Sequence, residues 1–275
     1  MKTSCISAYT ILSLFAAAPL AAQGCSDEAT ADADADAGSP STTTTSAPTP
    51  TPSTTPSTTP SSAPDAAREA SATSCTAALE TLMKPIDKVT TGAVTILDEG
   101  DASSGRTVYV DATSGGAAQA GSNPRTYVDL ATSTRVDVTD RTATTSTDWD
   151  LALERAVLFT NGGHGGPGAG SAIYVPKAFA DVTAADGAGK TFPAERFVDE
   201  ACNPVVDQTN AVKTTFDGWY DYDLATSKVT PKAGTFLVRG AKGALYKVAI
   251  LSYYATPDGG VGLAGANYVL RVGKL

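Results

Sequence analysis

The chain has 275 residues and a formal net charge of −9, with 20 Lys and Arg residues against 29 Asp and Glu residues. This acidic balance argues against a nucleic-acid surface, which needs clustered basic residues. The acidic residues are spread along the chain, so they favour solubility outside the cell rather than a calcium-binding loop.

Residues 1–24 have the pattern of an export signal. Lys2 precedes an apolar run at residues 11–18, which is too short to span a bilayer as a stable helix. Residues 22–25 resemble the lipobox of bacterial lipoproteins, and Cys25 is therefore the predicted lipid attachment site. An ordinary secretory signal with an incidental cysteine is the alternative. Either pattern predicts an exported protein, and loss of the one signal charge changes the net charge from −9 to −10.

Residues 25–74 are predicted to be a lipidated cysteine followed by a disordered Ser/Thr/Pro-rich tether. The segment has almost no large apolar side chain and contains repeated Thr-Pro and Ser-Pro steps. It therefore cannot bury enough surface to offset its ordering entropy. Extended, proline-rich backbone of this length would hold a domain at least on the order of 40 Å from its anchor. The composition also allows O-glycosylation.

Two cysteines remain for the mature domain. Cys5 leaves with the signal and Cys25 would be lipidated, which leaves Cys75 and Cys202. An even remainder in an exported chain predicts a disulfide, which here would join the first helix to the body of the domain. Two unpaired thiols are the alternative, because sequence alone does not place the two Cα atoms within bridging distance.

The folded region, residues 75–275, opens with one short helix. Residues 76–84 combine helix formers with a cap at Ser74 or Thr76 and a stop before Pro85. Short β-rich runs follow, separated by Gly, Asn, Asp and Pro clusters, at residues 94–97, 107–110, 127–130, 135–138, 156–159, 236–238, 246–254 and 268–272. Residues 150–155 are predicted to form another strand, and residues 181–190 to be irregular.

The even spacing of these runs, without helical patterns between them, indicates antiparallel pairing. We therefore predict an all-β, predominantly antiparallel domain with one short N-terminal helix. Trp149 and Trp219 mark strands, and each is expected to be a packing anchor because it can bury a large apolar area. Roughly 200 residues are enough for one domain with a sizeable core.

The glycine-rich run at residues 162–170 does not fit a nucleotide site. A dinucleotide fingerprint leads from a strand into a helix, whereas an apolar run at residues 173–176 follows here. We predict a mobile loop between strands. It carries His164, the only histidine of the chain, and residues 168–172 depart from the Gly-x-Ser-x-Gly pattern of hydrolases at the last position. The chain is therefore not predicted to be an enzyme, and a hydrolase that uses His164 is the weakest hypothesis.

Several spaced motifs resemble those of one family and occur in one order. Residues 147–155, which include Trp149, are followed by the glycine-rich run with His164. Further blocks lie at residues 127–130, 219–223, 234–239, 250–254 and 268–272. Together they resemble the HmuY-like haem-binding surface lipoproteins. The resemblance implies an all-β domain that captures haem at the outer-membrane surface and passes it to an outer-membrane receptor.

Haem iron accepts an imidazole nitrogen, a thioether sulfur, a phenolate or a thiolate as an axial ligand. His164 is therefore the first candidate for haem binding and iron ligation, with an exposed loop residue as the alternative. The resemblance also implies histidines near Glu154 and Ser227, where this sequence has none. Met83 is the only methionine left after signal removal, and core packing is its alternative role. Four tyrosines could also ligate or stack, with packing as the alternative: Tyr220, Tyr222, Tyr253 and Tyr254.

A single histidine excludes bis-histidine coordination by one chain. Two functions therefore stay open. The first is a haemophore-like lipoprotein for haem and iron acquisition, in which His164 ligates iron and Trp149 or Trp219 could stack on the ring. The second is a binding or adhesion module that kept the scaffold, lost haem ligation, and recognises another ligand or a protein partner.

Overall fold

The structure, a computed structural model, describes residues 75–114, 116, 122–207 and 210–275. The predicted signal peptide, the lipidation site at Cys25 and the tether lie outside the described residues. Within those residues, no helix is long and apolar enough to cross a membrane.

The described residues form an all-β domain that opens with one short helix, as the sequence predicts. The helices are α1 (Thr76–Met83) and the single turn α2 (Asp140–Ala143), and 3-10 turns lie at Phe179–Asp181 and Ala184–Gly187. The strands are β1 (Val94–Asp98), β2 (Arg106–Asp111), β3 (Thr126–Asp129), β4 (Thr134–Arg135), β5 (Leu151–Glu154), β6 (Val157–Thr160), β7 (Ser171–Val175), β8 (Tyr220–Asp223), β9 (Lys228–Pro231), β10 (Thr235–Arg239), β11 (Leu245–Ser252) and β12 (Asn267–Lys274).

Two sheets and one hairpin organise these strands. The larger sheet has the order β1-β2-β12-β11-β10-β7, the smaller has the order β4-β3-β5-β6, and β8 pairs with β9. Neighbouring strands in all three are antiparallel. Strands of both sheets contribute to one apolar cluster, so the main core lies between the sheets.

The alternation of side chains along a strand determines which face enters this core. In β5, Leu151 and Leu153 join the cluster between the sheets, while Ala152 between them faces the opposite side. In β12, Leu270 belongs to the main core and the adjacent Val269 lies in a smaller cluster on the other face. Each large side chain that is fully buried contributes about 1.5–3 kcal/mol to folding.

The second face of the smaller sheet is also covered. Edge-to-face aromatic contacts run from Tyr127 to Trp149, from Trp149 to Phe159 and from Phe159 to Phe197, with ring centroids 4.9, 6.0 and 5.2 Å apart. Three side chains of α1 pack on this cluster: Leu79, Leu82 and Met83. Trp149 is completely buried here, and Trp219 is 3% exposed in the main core, so both tryptophans are packing anchors.

A disulfide joins Cys75 to Cys202, which confirms the predicted pairing. The two Cα atoms are 5.1 Å apart, and the bond links positions separated by 127 residues. In the chain-entropy description, a closed loop of this size restricts the unfolded chain by roughly 4–5 kcal/mol. The bond attaches the start of α1 to a loop that lies far along the chain.

Some element predictions are wrong. The N-cap of α1 is Cys75, which makes no side-chain capping hydrogen bond, rather than Ser74 or Thr76. The strand expected at residues 135–138 pairs only at Thr134–Arg135, because the following valines turn into the cluster under α1. β7 and β8 were expected only without bounds, as the strand after the glycine-rich loop and as the strand marked by Trp219, and β9 was not predicted. A 3-10 turn lies within the segment expected to be irregular.

Candidate ligand-binding cleft beside the sole histidine

The glycine-rich loop connects β6 to β7, as predicted, but it is closely packed rather than loose. Gly163 has a φ of +58°, and a Cβ there would lie 2.4 Å from the Glu195 carbonyl oxygen. A Cβ at Gly166 would lie 2.2 Å from the Asn161 side-chain oxygen. Close approach therefore requires glycine at both positions, and Gly163 also has a left-handed backbone. This close packing does not support the predicted mobility.

Asn161 is the residue that organises this loop. It is fully buried, and its Nδ2 donates to the carbonyl oxygens of Ser146 and Trp149, both at 2.8 Å. Its Oδ1 accepts from the backbone N–H of Gly168 at 3.0 Å. The side chain thus ties both ends of the loop to the segment before β5. Buried polar groups that are fully paired in this way fix a loop in one arrangement.

His164 is held by the segment that follows the 3-10 turns. Its backbone N–H donates to the carbonyl oxygen of Glu195 at 2.9 Å. Its Nδ1 accepts from the backbone N–H groups of Phe197 at 3.0 Å and Val198 at 3.4 Å. The residue as a whole is exposed, yet partial burial of the imidazole and then the nearby Arg196 lower its pKa from the ordinary value.

These hydrogen bonds determine which ring nitrogen carries the proton. Backbone N–H groups only donate, so Nδ1 of His164 uses its lone pair to accept, and the neutral ring carries its hydrogen on Nε2. Iron ligation through Nε2 requires a lone pair on that atom, with the proton moved to Nδ1. His164 can therefore ligate iron only after its ring turns away from Phe197 and Val198.

A cleft of about 440 Å³ lies beside this histidine. Leu79 and Met83 of α1 line one side, and residues 163–167 line the other. Phe159 and Phe197 supply aromatic surface between them. His164 and Met83 are far apart in the sequence, with β3 to β6 between them. Both nevertheless line this cavity. The cleft is mainly apolar, and its charged lining residues are Glu80, Arg125, Asp140 and Arg141.

A buried ion network lies at the base of the cleft. Nη1 of Arg125 contacts the carboxylate of Asp140 at 2.9 Å, and Nη2 contacts Glu154 at 3.0 Å and also donates to the Met83 carbonyl oxygen. Tyr127 donates its hydroxyl to Asp140 at 3.0 Å. Burial raises the pKa of Glu154, and the Arg125 charge opposes that rise. The network fixes the C-terminal end of α1 on the sheet.

This network occupies one of the positions where the resemblance implies a histidine. Glu154 lies on the side of β5 that faces α1, and its carboxylate pairs with Arg125. Ser227 lies in the turn between β8 and β9, where its φ is +55°. Neither side chain is a suitable iron ligand, so those positions contribute no imidazole to a haem site in this chain.

The candidate tyrosines lie elsewhere. Tyr253 packs between Trp219 and Tyr268, and burial raises its pKa to about 12. Its phenolate form, which would bind iron, is therefore strongly disfavoured at neutral pH. Tyr220 and Tyr254 pack against the same cluster. Tyr222 is 50% exposed and lines a separate cavity with Tyr220. The structure does not bring any of the four to the cleft.

Sequence reasoning missed the residues that build the cleft. Glu195 is 2% exposed, and its carboxylate accepts hydrogen bonds from the backbone N–H groups of Thr160 and Thr215 at 2.8 and 2.9 Å. Its backbone carbonyl in turn fixes His164. No pattern in the sequence marks this glutamate as buried. Among the described residues, no group of three or more His, Cys, Asp or Glu side chains could hold a metal ion.

The sequence profile of the HmuY protein family matches residues 122–266, which is more than half of the chain. The chain belongs to the HmuY family. The match includes β3 to β11, the glycine-rich loop and His164, while α1 and Met83 precede it. None of the curated proteins compared with the chain matches it.

Three solved structures are similar to this chain. One is described as a lipoprotein from Bacteroides fragilis, with 18% identity, a TM-score of 0.40 and coverage of 64% of this chain and 94% of that chain. Another is described as an HmuY-like haem-binding protein from Bacteroides vulgatus, with 15% identity, a TM-score of 0.39 and the same coverage. The third is the apo form of an HmuY analog from Tannerella forsythia, with 13% identity, a TM-score of 0.37 and coverage of 62% and 95%.

Proposed function

We propose that this HmuY-family chain is a cell-surface lipoprotein of the outer membrane that binds haem and passes it to an outer-membrane receptor. The observation that carries the proposal is the cleft in which His164 and Met83 line one apolar cavity. They are the sole histidine and the sole methionine after the signal. Family membership supports haem as the ligand.

The residues of the cleft differ in how well they suit a bound porphyrin. Aliphatic and aromatic side chains suit burial of an apolar macrocycle. The thioether of Met83 is a possible iron ligand, and Met83 lines the cleft. The imidazole of His164 would first have to give up its two backbone donors. We therefore expect Met83 to be the better iron ligand and His164 to serve the site in another way.

Titration of the mature chain with haemin tests this proposal. We expect a sharp Soret band that saturates at one haem per chain. Met83→Leu should shift that band, because leucine keeps the apolar volume but removes the sulfur. Leu82→Met is a matched control, since it adds a thioether one residue away on the same helix. A broad spectrum of free haemin with the parent chain would refute haem binding.

A second function is favoured by one observation. Nδ1 of His164 is engaged by the backbone, and Glu154 is paired with Arg125, so neither position offers an imidazole to iron as the fold stands. A module that kept the scaffold and lost haem ligation would have this arrangement. It would bind a different apolar ligand, or a protein partner, at the same cleft. The haemin titration separates the two functions.

A further inference from the structure

Of the two ring nitrogens of His164, only Nδ1 is engaged by the backbone. Nδ1 accepts from the backbone N–H groups of Phe197 and Val198, so Nε2 is the N–H donor of the neutral ring. None of the described residues accepts a hydrogen bond from Nε2. The ring forms the boundary between the 440 Å³ cleft and a broader depression that also includes Leu79 and Gly163. Because His164 lines both spaces, its Nε2–H is a donor at the margin that they share.

Two arginines add positive charge near this donor. Arg196 directly precedes Phe197, whose N–H donates to His164, and it lines the depression next to the cleft. Arg141 lines the cleft itself. Their acidic partners are exposed: the Glu200 side chain is 95% exposed and the Glu80 side chain is 56% exposed. Exposed ion pairs of this kind are weak and exchange easily with other anions. A carboxylate on the ligand can therefore compete for these cations.

We propose that His164 is a specificity residue that donates from Nε2 to a carboxylate of the bound ligand and does not ligate iron. The ligand class is then an apolar, planar macrocycle with carboxylate arms, and the metal is not required for recognition. The inference rests on the proposed porphyrin-binding function and extends it. The mature chain should accept metal-free protoporphyrin as well as haem, because the contacts that select the ligand involve its edge and its ring faces.

Two substitutions distinguish the Nε2–H donor of His164 from its Nδ1 acceptor, which holds the loop. In His164→Asn, the amide oxygen replaces Nδ1 as acceptor for Phe197, while the outward donor is lost. In His164→Gln, the amide nitrogen replaces Nε2 and the inner acceptor is lost. If the proposal is right, Asn should weaken binding of metal-free protoporphyrin by roughly tenfold or more, as expected for a hydrogen bond to a charged group. Gln should bind closer to the parent, although its loop is less well held.

The test is a fluorescence titration of each mature protein with metal-free protoporphyrin and with its dimethyl ester. The ester keeps the ring and removes both negative charges, so it should bind the parent and His164→Asn equally. An equal loss of affinity for acid and ester in His164→Asn would overturn the carboxylate contact. If haemin binds and metal-free protoporphyrin does not, this inference fails while the proposed function stands. If neither binds, both fail.

Discussion

At the scale of single residues, the fold selects the neutral form of His164. Its Nδ1 accepts two backbone hydrogen bonds, and a proton on that atom would oppose the N–H groups of Phe197 and Val198. Burial and Arg196 lower its pKa from the ordinary value of 6.5. The unfolded chain therefore binds this proton more readily than the folded chain in the pH range just below 6.5.

This difference predicts a pH-dependent loss of stability. As pH falls through the window from 6.5 to the lowered pKa of the folded state, His164 should reduce the free energy of unfolding. His164→Asn keeps the acceptor and does not titrate, so the parent should lose stability relative to this variant as pH falls below the ordinary pKa of the imidazole, 6.5. Urea unfolding of both proteins at several pH values measures the difference. If the free energies of unfolding of the two proteins change in parallel with pH, protonation of His164 does not affect stability.

The parent must be compared with His164→Asn because buried acidic residues change the stability in the opposite direction as pH falls. Burial raises the pKa values of Asp150, Glu154 and Glu195, although hydrogen bonds or Arg125 partly oppose each rise. The folded chain binds these protons more readily than the unfolded chain, so their contribution to stability grows as pH falls. They are present in the parent and in His164→Asn alike, and their effect cancels in the difference.

The sequence predicts candidate residues well only when their chemistry is rare in the chain. His164 stands out because it is the sole histidine. Cys75 and Cys202 stand out because they are the pair left after Cys5 of the predicted signal and the predicted lipidation site Cys25. Asn161 precedes two glycines and reads as an ordinary turn residue, yet it is completely buried and organises the loop. Its burial results from contacts with the segment before β5 that no local pattern encodes.

At the scale of elements, α1 depends on external contacts. It has eight residues, no side-chain cap and no buried residue, and a helix of this length is marginal in isolation. The Cys75–Cys202 disulfide holds its start, and Arg125 holds its end through the Met83 carbonyl oxygen. An exposed ion pair between Glu80 and Arg141 adds little. Because α1 forms one wall of the cleft, its attachment and the binding site are linked.

Removal of the disulfide should therefore affect both stability and binding. The double substitution Cys75→Ser and Cys202→Ser should lower the free energy of unfolding by about 4–5 kcal/mol in the chain-entropy description. It should also increase hydrogen exchange in α1 and weaken porphyrin binding. Urea unfolding and exchange followed by mass spectrometry measure these effects, and chemical reduction of the parent is the control. Unchanged exchange at residues 76–83 would show that packing alone holds the helix.

Strand prediction succeeded where alternate residues of the strand enter the main core. β2, β5 and β12 contribute alternate residues to the main core, and their apolar periodicity is visible in the sequence. In β8, by contrast, one residue is half-buried and the other three are exposed, so no alternation marks it. β7 directly follows the glycine-rich loop, so the sequence pattern does not show at which residue the strand begins. Only its pairing with β10 shows it to be a strand.

At the scale of the whole molecule, the described domain begins close to the predicted end of the tether. The tether is predicted to end at residue 74, and α1 starts at Thr76. Helix α1 contributes Leu79 and Met83 to the cleft, so the proposed site includes residues near the start of the described domain. Among the described residues, those that line the cleft begin at Thr76. Loss of a membrane anchor should therefore leave binding intact.

Cys25→Ala tests the anchor and this independence together. If Cys25 carries the lipid, the variant should move from the membrane fraction to the soluble fraction, because the acyl chains provide the membrane affinity. Its affinity for porphyrin should equal that of the parent. Cys5→Ala is a matched control, since that cysteine lies within the predicted signal and its loss should leave fractionation unchanged. If Cys25→Ala stays with the membrane to the same extent as the parent, lipidation at Cys25 is not what holds the protein there.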